Sequence, residues 1–237
     1  MSDPKRVVVF CDWQNIYRRA REANSTQINP PAQVGQVIPS ELGQLLVERG
    51  KKGRGEDRVL QEVRIYRGIP RQERDSDAYK AVRSQMGEWS KNNKVTIIKG
   101  RIQYPQDWEV GDTGERPREK GVDVALAVDL VTMAVRREFD VAVVFSADND
   151  LLPAVEFVAS MSKKGEPDAP TIEVAAWKGL PEAKRPNRLN PAGGGVWCHW
   201  LTTEDYYRIE DTNSYPLHSS STAQGHPVPR PPQRLNW

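Results

Sequence analysis

Two stretches of the chain, Val7 to Cys11 and Val141 to Phe145, are apolar at every position, and a third, Ile172 to Trp177, is nearly so. A strand with one wet face alternates polar and apolar side chains, so unbroken runs predict strands covered on both faces, as in a parallel sheet. Glu62 to Tyr66 and Val95 to Ile98 supply two further strand candidates. Between these runs the period changes. Tyr79, Val82, Met86 and Trp89 recur at steps of three and four within 76–92, and Val122, Leu126, Leu130 and Met133 do so within 122–137. That spacing lines one face of a helix. Shorter helices are expected at 41–49 and 151–160. Strand, helix, strand, helix is the order of a doubly wound α/β sheet, with five strands near 6–11, 62–67, 95–99, 141–146 and 171–177.

The pattern breaks at 24–40, which carries Pro30, Pro31 and Pro39, and again at 104–118. Both read as inserted loops, and loops of such length in a folded domain commonly carry function. From Thr212 onward the chain is rich in Ser, Pro, His and Gln and has no acid. The expected organisation is one domain over 1–210 and a Pro/Ser-rich flexible tail over 211–237.

The 18 Pro and 17 Gly, with a hydrophobic fraction of 38%, concentrate the core into the runs just described. A net charge of +2, from 34 basic and 32 acidic residues, leaves no overall polyanion-binding character, so any basic patch must be local. The basic run from Arg49 to Arg74, followed by Lys99 and Arg101, is the candidate for a rim that holds a nucleic-acid backbone. Tyr66, Tyr104 and Trp108 are candidates for stacking on unpaired bases, although Tyr66, on a strand, has a core position open to it. Cys11 and Cys198 stand far apart with no C-x-x-C spacing, which argues for reduced thiols and a cytoplasmic setting. No stretch approaches the roughly 20 apolar residues of a membrane span.

In an open parallel sheet, ligand sites lie beyond the carboxyl ends of the strands. Asp12 follows one apolar run, Asp148 follows another, and Asp123 opens the helix leading to the second strand, so topology brings all three to one edge. Carboxylates this close repel unless a divalent cation neutralises them. Mg²⁺ or Mn²⁺ suits hard oxygen ligands and retains waters, which fits metal-dependent phosphodiester hydrolysis. Each acid also has a structural use. Asp12, Asp123, Asp148 or Asp150 could cap a helix, and Asp129 could make a buried hydrogen bond.

Asp12-Trp13-Gln14-Asn15, Lys120-Gly121-Val122-Asp123 and Ser146-Ala147-Asp148-Asn149-Asp150 together resemble the NYN domain, a branch of the PIN-like nucleases, over roughly residues 5–178. The resemblance implies a PIN-like, Rossmann-like three-layer sandwich with a central, mostly parallel sheet of about five strands. It implies that Asp12, Asp123 and Asp148 bind Mg²⁺ or Mn²⁺ for the cleavage of RNA, with Asn15 orienting the site. Asp150 and Ser146 match the second acid and the hydroxyl of the family's third motif. Lys120 has a use contacting the scissile phosphate and another as a solvated loop lysine. Ala147 stands where the family has Gly, which would matter if the turn required positive φ.

Other acid-bearing α/β sites fail by residue. A dehalogenase-like phosphatase needs an acid where Gln14 stands, and neither G-x-x-x-x-G-K-[ST] nor a post-strand G-x-G-x-x-G occurs. The expected activity is that of a ribonuclease acting on single-stranded or structured RNA, with no membrane partner. The alternative is a catalytically silent PIN-like RNA-binding or protein-interaction regulator. The aromatic segment of Trp197, Trp200, Tyr206 and Tyr207 is expected to pack on the core, a homodimer or regulatory protein contact being its other use.

Overall fold

The computed structural model describes residues 3–27, 30–111, 114–163, 168–178, 187–213 and 215. The sheet order is β4-β3-β2-β1-β5-β6-β7, built from β1 (Lys5–Asp12), β2 (Arg58–Ile69), β3 (Val95–Gln103), β4 (Arg118–Lys120), β5 (Val141–Phe145), β6 (Thr171–Trp177) and β7 (Trp197–Leu201). Every neighbouring pair is parallel except β3 with β4. The helices are α1 (Trp13–Asn24), α2 (Pro39–Arg54), α3 (Ser76–Trp89), α4 (Val122–Val135), α5 (Leu152–Lys163) and α6 (Thr203–Ile209), with one 3-10 turn at Asn149–Leu151.

The unbroken apolar runs are explained by two cores, one on each face of the sheet. Val7, Val9 and Cys11 point into a cluster with α1, α2, α6 and Trp89 of α3. Val8 and Phe10 point the other way, against α4 and α5. The period-two geometry of a strand thus sends alternate apolar side chains of β1 to opposite layers, giving the expected three-layer sandwich. The aromatic segment divides between core and surface: Tyr206 is buried in the first cluster with Tyr207 packed against it, while Trp200 lies against the second. Cys11 and Cys198 are buried free thiols.

Among the described residues the sheet has seven strands where about five were expected. The two additional strands are edges, where one side of the ladder is open and the apolar signal weak. β4 reads Arg-Glu-Lys, and β7 carries polar His199 between its tryptophans. The 24–40 segment contains the start of α2 at Pro39, and Arg21 clamps the rest by donating to the carbonyls of Pro30, Pro31 and Val34. Within 104–117 no described residue belongs to a helix or strand. The expected tail over 211–237 lies outside the described residues apart from 211–213 and 215. Of these, Asp211 is buried and accepts hydrogen bonds from Trp89 Nε1 and the Tyr215 hydroxyl.

Candidate metal centre

From β1 the chain moves outward through β2 to β3, and from β5 it moves the opposite way to β6 and β7. The order reverses between β1 and β5, so the helices that follow them diverge and open a crevice at their carboxyl ends. Cys11 pairs with Phe145, which sets the next residues, Asp12 and Ser146, side by side at the floor of that crevice.

Asp12 is nearly inaccessible, at 4% exposure, and both of its oxygens are held. Oδ2 accepts from Ser146 Oγ at 2.7 Å, and Oδ1 accepts from the Asn15 amide at 3.2 Å as the cap of α1. The Ser146 hydroxyl accepts in turn from the Asp148 amide at 3.0 Å. The side-chain oxygen of Asn15 accepts from the Ala147 amide at 3.1 Å. Asn15 and Ser146 therefore bind the start of α1 to the turn after β5 and fix two of the acids relative to each other. Ala147 does not adopt positive φ, so the missing glycine places no strain on this turn.

Asp148 caps the 3-10 turn, accepting from the Asp150 amide at 3.0 Å. Asp123 arrives from the first turn of α4, whose start is set by Gly121 at φ 74°. Gly100 on β3 lets α4 approach closely, since a Cβ there would collide with Val122. One carboxylate oxygen each from Asp12, Asp123 and Asp148 lie within 4.8 Å of one another. Burial pushes Asp12 up to about 6, with Asp123 and Asp148 adding to the rise against the hydrogen bonds from Ser146 and Asn15. Asp123 is also raised, first by burial and then by Asp148 and Asp150. A cluster of hard oxygen donors whose negative charge is under-compensated fits a divalent cation.

Sequence reasoning missed a fourth acid. Glu119 of β4 lines the same cleft, of about 710 Å³, and accepts from the Gly68 amide at 2.6 Å. Its carboxyl is pushed up to about 7, chiefly by burial, with Asp12 and Asp123 raising it further against the Gly68 amide and the Arg67 guanidinium. Its position four residues before Asp123 was its only signal, because an Arg-Glu-Lys edge strand carries no apolar mark.

The other candidates separate. Asp150 is exposed and contributes its backbone amide to the cap. Lys120 does not line the acid cleft; it lines a neighbouring one of about 430 Å³ with Arg71, Arg74, Arg101 and Tyr104. Asp129 accepts from Arg64 and Tyr66, each at 2.8 Å, a structural use, and Tyr66 is fully buried. The basic run does not form one rim. Arg49 pairs with Asp205, Lys51 with Asp57, and Arg54 and Arg58 with Glu173. Arg58 opens β2 opposite Lys5 while Tyr66 lies opposite Asp12, so Arg58 sits roughly 23 Å from the acids along the strands.

Among the described residues no helix is long and apolar enough to cross a membrane. No curated protein matches the chain. A crystal structure of a protein of unknown function from Vibrio parahaemolyticus is similar, with a TM-score of 0.43 and 15% identity over 74% of this chain and 83% of that one. The NYN domain matches residues 6–165, which span β1 through α5 and include all three clustered aspartates. The chain belongs to the NYN domain family, within the PIN-like nuclease superfamily.

Proposed function

We propose that this protein is a Mg²⁺- or Mn²⁺-dependent ribonuclease, cutting RNA endonucleolytically by hydrolysis of the phosphodiester. The observation that carries the reading is the convergence of Asp12, Asp123 and Asp148, oxygens within 4.8 Å, in a chain of this nuclease family. These three residues would hold the ion. Bound there, it would supply positive charge for a phosphate oxygen and lower the pKa of water for in-line attack. Ser146 and Asn15 keep the Asp12 carboxylate aimed into the cleft. Glu119, in no ion pair among the described residues, has Oε1 held by the Gly68 amide and is available to hold or pass a proton at its Oε2. Arg18 and Arg116 line the cleft wall and offset the repulsion between the acids and an incoming phosphate. A cytoplasmic setting belongs to the same proposal and is supported by two cysteines that remain free thiols.

The test is cleavage of a fluorescent single-stranded RNA by the purified chain. Fragments are expected with Mn²⁺ or Mg²⁺, none with EDTA, and a loss of at least about 100-fold for Asp123→Asn and Asp148→Asn. RNA binding by the parent protein with no fragments under any divalent ion would replace this reading by that of a silent RNA-binding regulator.

A further inference from the structure

Beside the acid cleft lies a second one with the opposite character. Arg71, Arg74, Arg101 and Lys120 line it, and among the described residues no carboxylate does. Arg101 and Lys120 are direct partners in the antiparallel β3–β4 ladder. Like charges facing each other at such a position destabilise a sheet, where an acid would stabilise it. Among the described residues neither they nor Arg71 makes an ion pair, whereas the cations at the far end of the sheet are matched with acids. The concentration of cations is therefore not absorbed by the protein itself.

The cleft also has an ordered aromatic wall. The Tyr104 hydroxyl accepts from the Arg71 amide at 3.2 Å, and Arg74 donates to the carbonyls of Pro105 and Gln106 at 2.8 and 3.2 Å. These bonds tie the 104–106 loop back to the turn before α3. The Arg74 guanidinium lies 5.7 Å from the centre of the Tyr104 ring, and Trp108 packs on that ring with centroids 5.0 Å apart at 54°. Trp108 stays partly exposed. Consecutive residues of a strand point to opposite sides, and in β4 Glu119 lines the acid cleft while Lys120 lines the basic one.

We propose that the basic cleft is a substrate subsite for single-stranded RNA. It takes the phosphodiester backbone that flanks the cleavage point on Arg71, Arg101 and Lys120, and stacks an unpaired base on Trp108. The inference rests on the ribonuclease reading for the identity of its ligand, but it concerns a surface that reading does not use. Four cations with no acid among the described lining residues fit a polyanion, and an aromatic pair beside them fits a chain whose bases are free to stack, because base–aromatic stacking is sequence-tolerant.

The experiment measures binding without cleavage. A fluorescein-labelled 12-nucleotide oligouridylate is titrated with the full chain in EDTA, by fluorescence anisotropy, at several salt concentrations. The variant Arg71→Ala/Arg101→Ala/Lys120→Ala is expected to bind at least about 10-fold more weakly. The slope of log Kd against log salt should fall by about 0.7 for each phosphate contact removed. Trp108→Ala should weaken binding about 5-fold or more with the slope unchanged. Lys51→Ala/Lys52→Ala/Arg136→Ala removes the same charge at the opposite end of the sheet and should bind as the parent does.

Parent-like affinity and slope in the cleft variant would overturn the proposal, as would an equal loss in the distant variant. Unchanged binding in Trp108→Ala would overturn the stacking role. Thermal melting guards against misfolding: removal of facing like charges should leave the cleft variant at least as stable as the parent. Since no metal is present, failure to cut RNA would count against the ribonuclease reading alone, and failure of the cleft variant to lose affinity would count against the subsite alone.

Discussion

Asp12 terminates β1, caps α1 and joins the acid cluster with the same carboxylate. The Ser146 hydroxyl joins Asp12 to the Asp148 amide and the Asn15 side chain holds the Ala147 amide, so their removal reports on how the turn after β5 sets Asp12 and Asp148 relative to each other. Ser146→Ala and Asn15→Ala are each expected to weaken Mn²⁺ binding about 10- to 100-fold, measured by calorimetric titration. Asp123 behaves differently because no hydrogen bond among the described residues holds its carboxylate, and its pKa is raised by burial and by the repulsion of Asp148 and Asp150. In EDTA, Asp123→Asn should therefore raise the melting temperature. Saturating Mn²⁺ should stabilise the parent by about 2.7 kcal/mol at 100 times Kd and leave the variant nearly unmoved. A variant that melts lower in EDTA would show that the cluster is not mutually repulsive.

Elements differ in how plainly they were written. β1 and β5 were legible because layers on both faces demand apolar side chains at every position, and α3 and α4 because one stripe of each meets a core. The three aspartates were legible for a related reason: each sits where such an element begins or ends, so placing the element places the acid. α1 was obscure. Its buried positions are Trp13, Ile16, Ala20 and Ala23 at helical spacing, but alanine adds little hydrophobic signal among arginines. β4 was invisible, and with it Glu119 and the true surroundings of Lys120, because an edge strand of charged residues is specified by its partner rather than by its own pattern. Gly121 is the hinge between β4 and α4. A Cβ there has open space, but its φ of 74° is disfavoured for other residues. Gly121→Ala is expected to cost about 1 kcal/mol and to lower activity by displacing Asp123, both readable from denaturant unfolding and RNA cleavage.

Across the whole molecule, the end opposite the acids is closed by buried charge. Glu173 of β6 accepts from Arg58 at 2.8 and 2.9 Å and bonds His199 Nε2 at 2.8 Å. This joins the start of β2 to β6 and β7 across the sheet. Despite burial, which alone would raise it, the Glu173 carboxyl is held down to about 2 by His199 and Arg58. The His199 pKa is itself lowered by burial, and its Nδ1 has no partner among the described residues, so the neutral ring donating from Nε2 is the favoured form. Glu173→Gln should cost about 3–5 kcal/mol, the usual penalty for leaving a buried cation uncompensated. A carboxyl with a depressed folded pKa stabilises fully above its ordinary value of 4.5 and loses that contribution as it is protonated. The parent's advantage over Glu173→Gln should hold constant above pH 4.5 and shrink as pH falls toward 2, followed by urea unfolding. An advantage that grew on acidification would reverse the sign of this argument.

The three aspartates are not anchored equally. Asp12 and Asp148 hang from the two central strands, whose amides lie between two cores, while Asp123 hangs from a helix entered through a three-residue edge strand and a single glycine. Amides of β1 and β5 should exchange with deuterium only when the entire chain opens, and those of β4 should exchange by local fraying. Under the proposed function, fraying of β4 would loosen Asp123 first, while Asp12 and Asp148 stay in place on a pocket short of one acid.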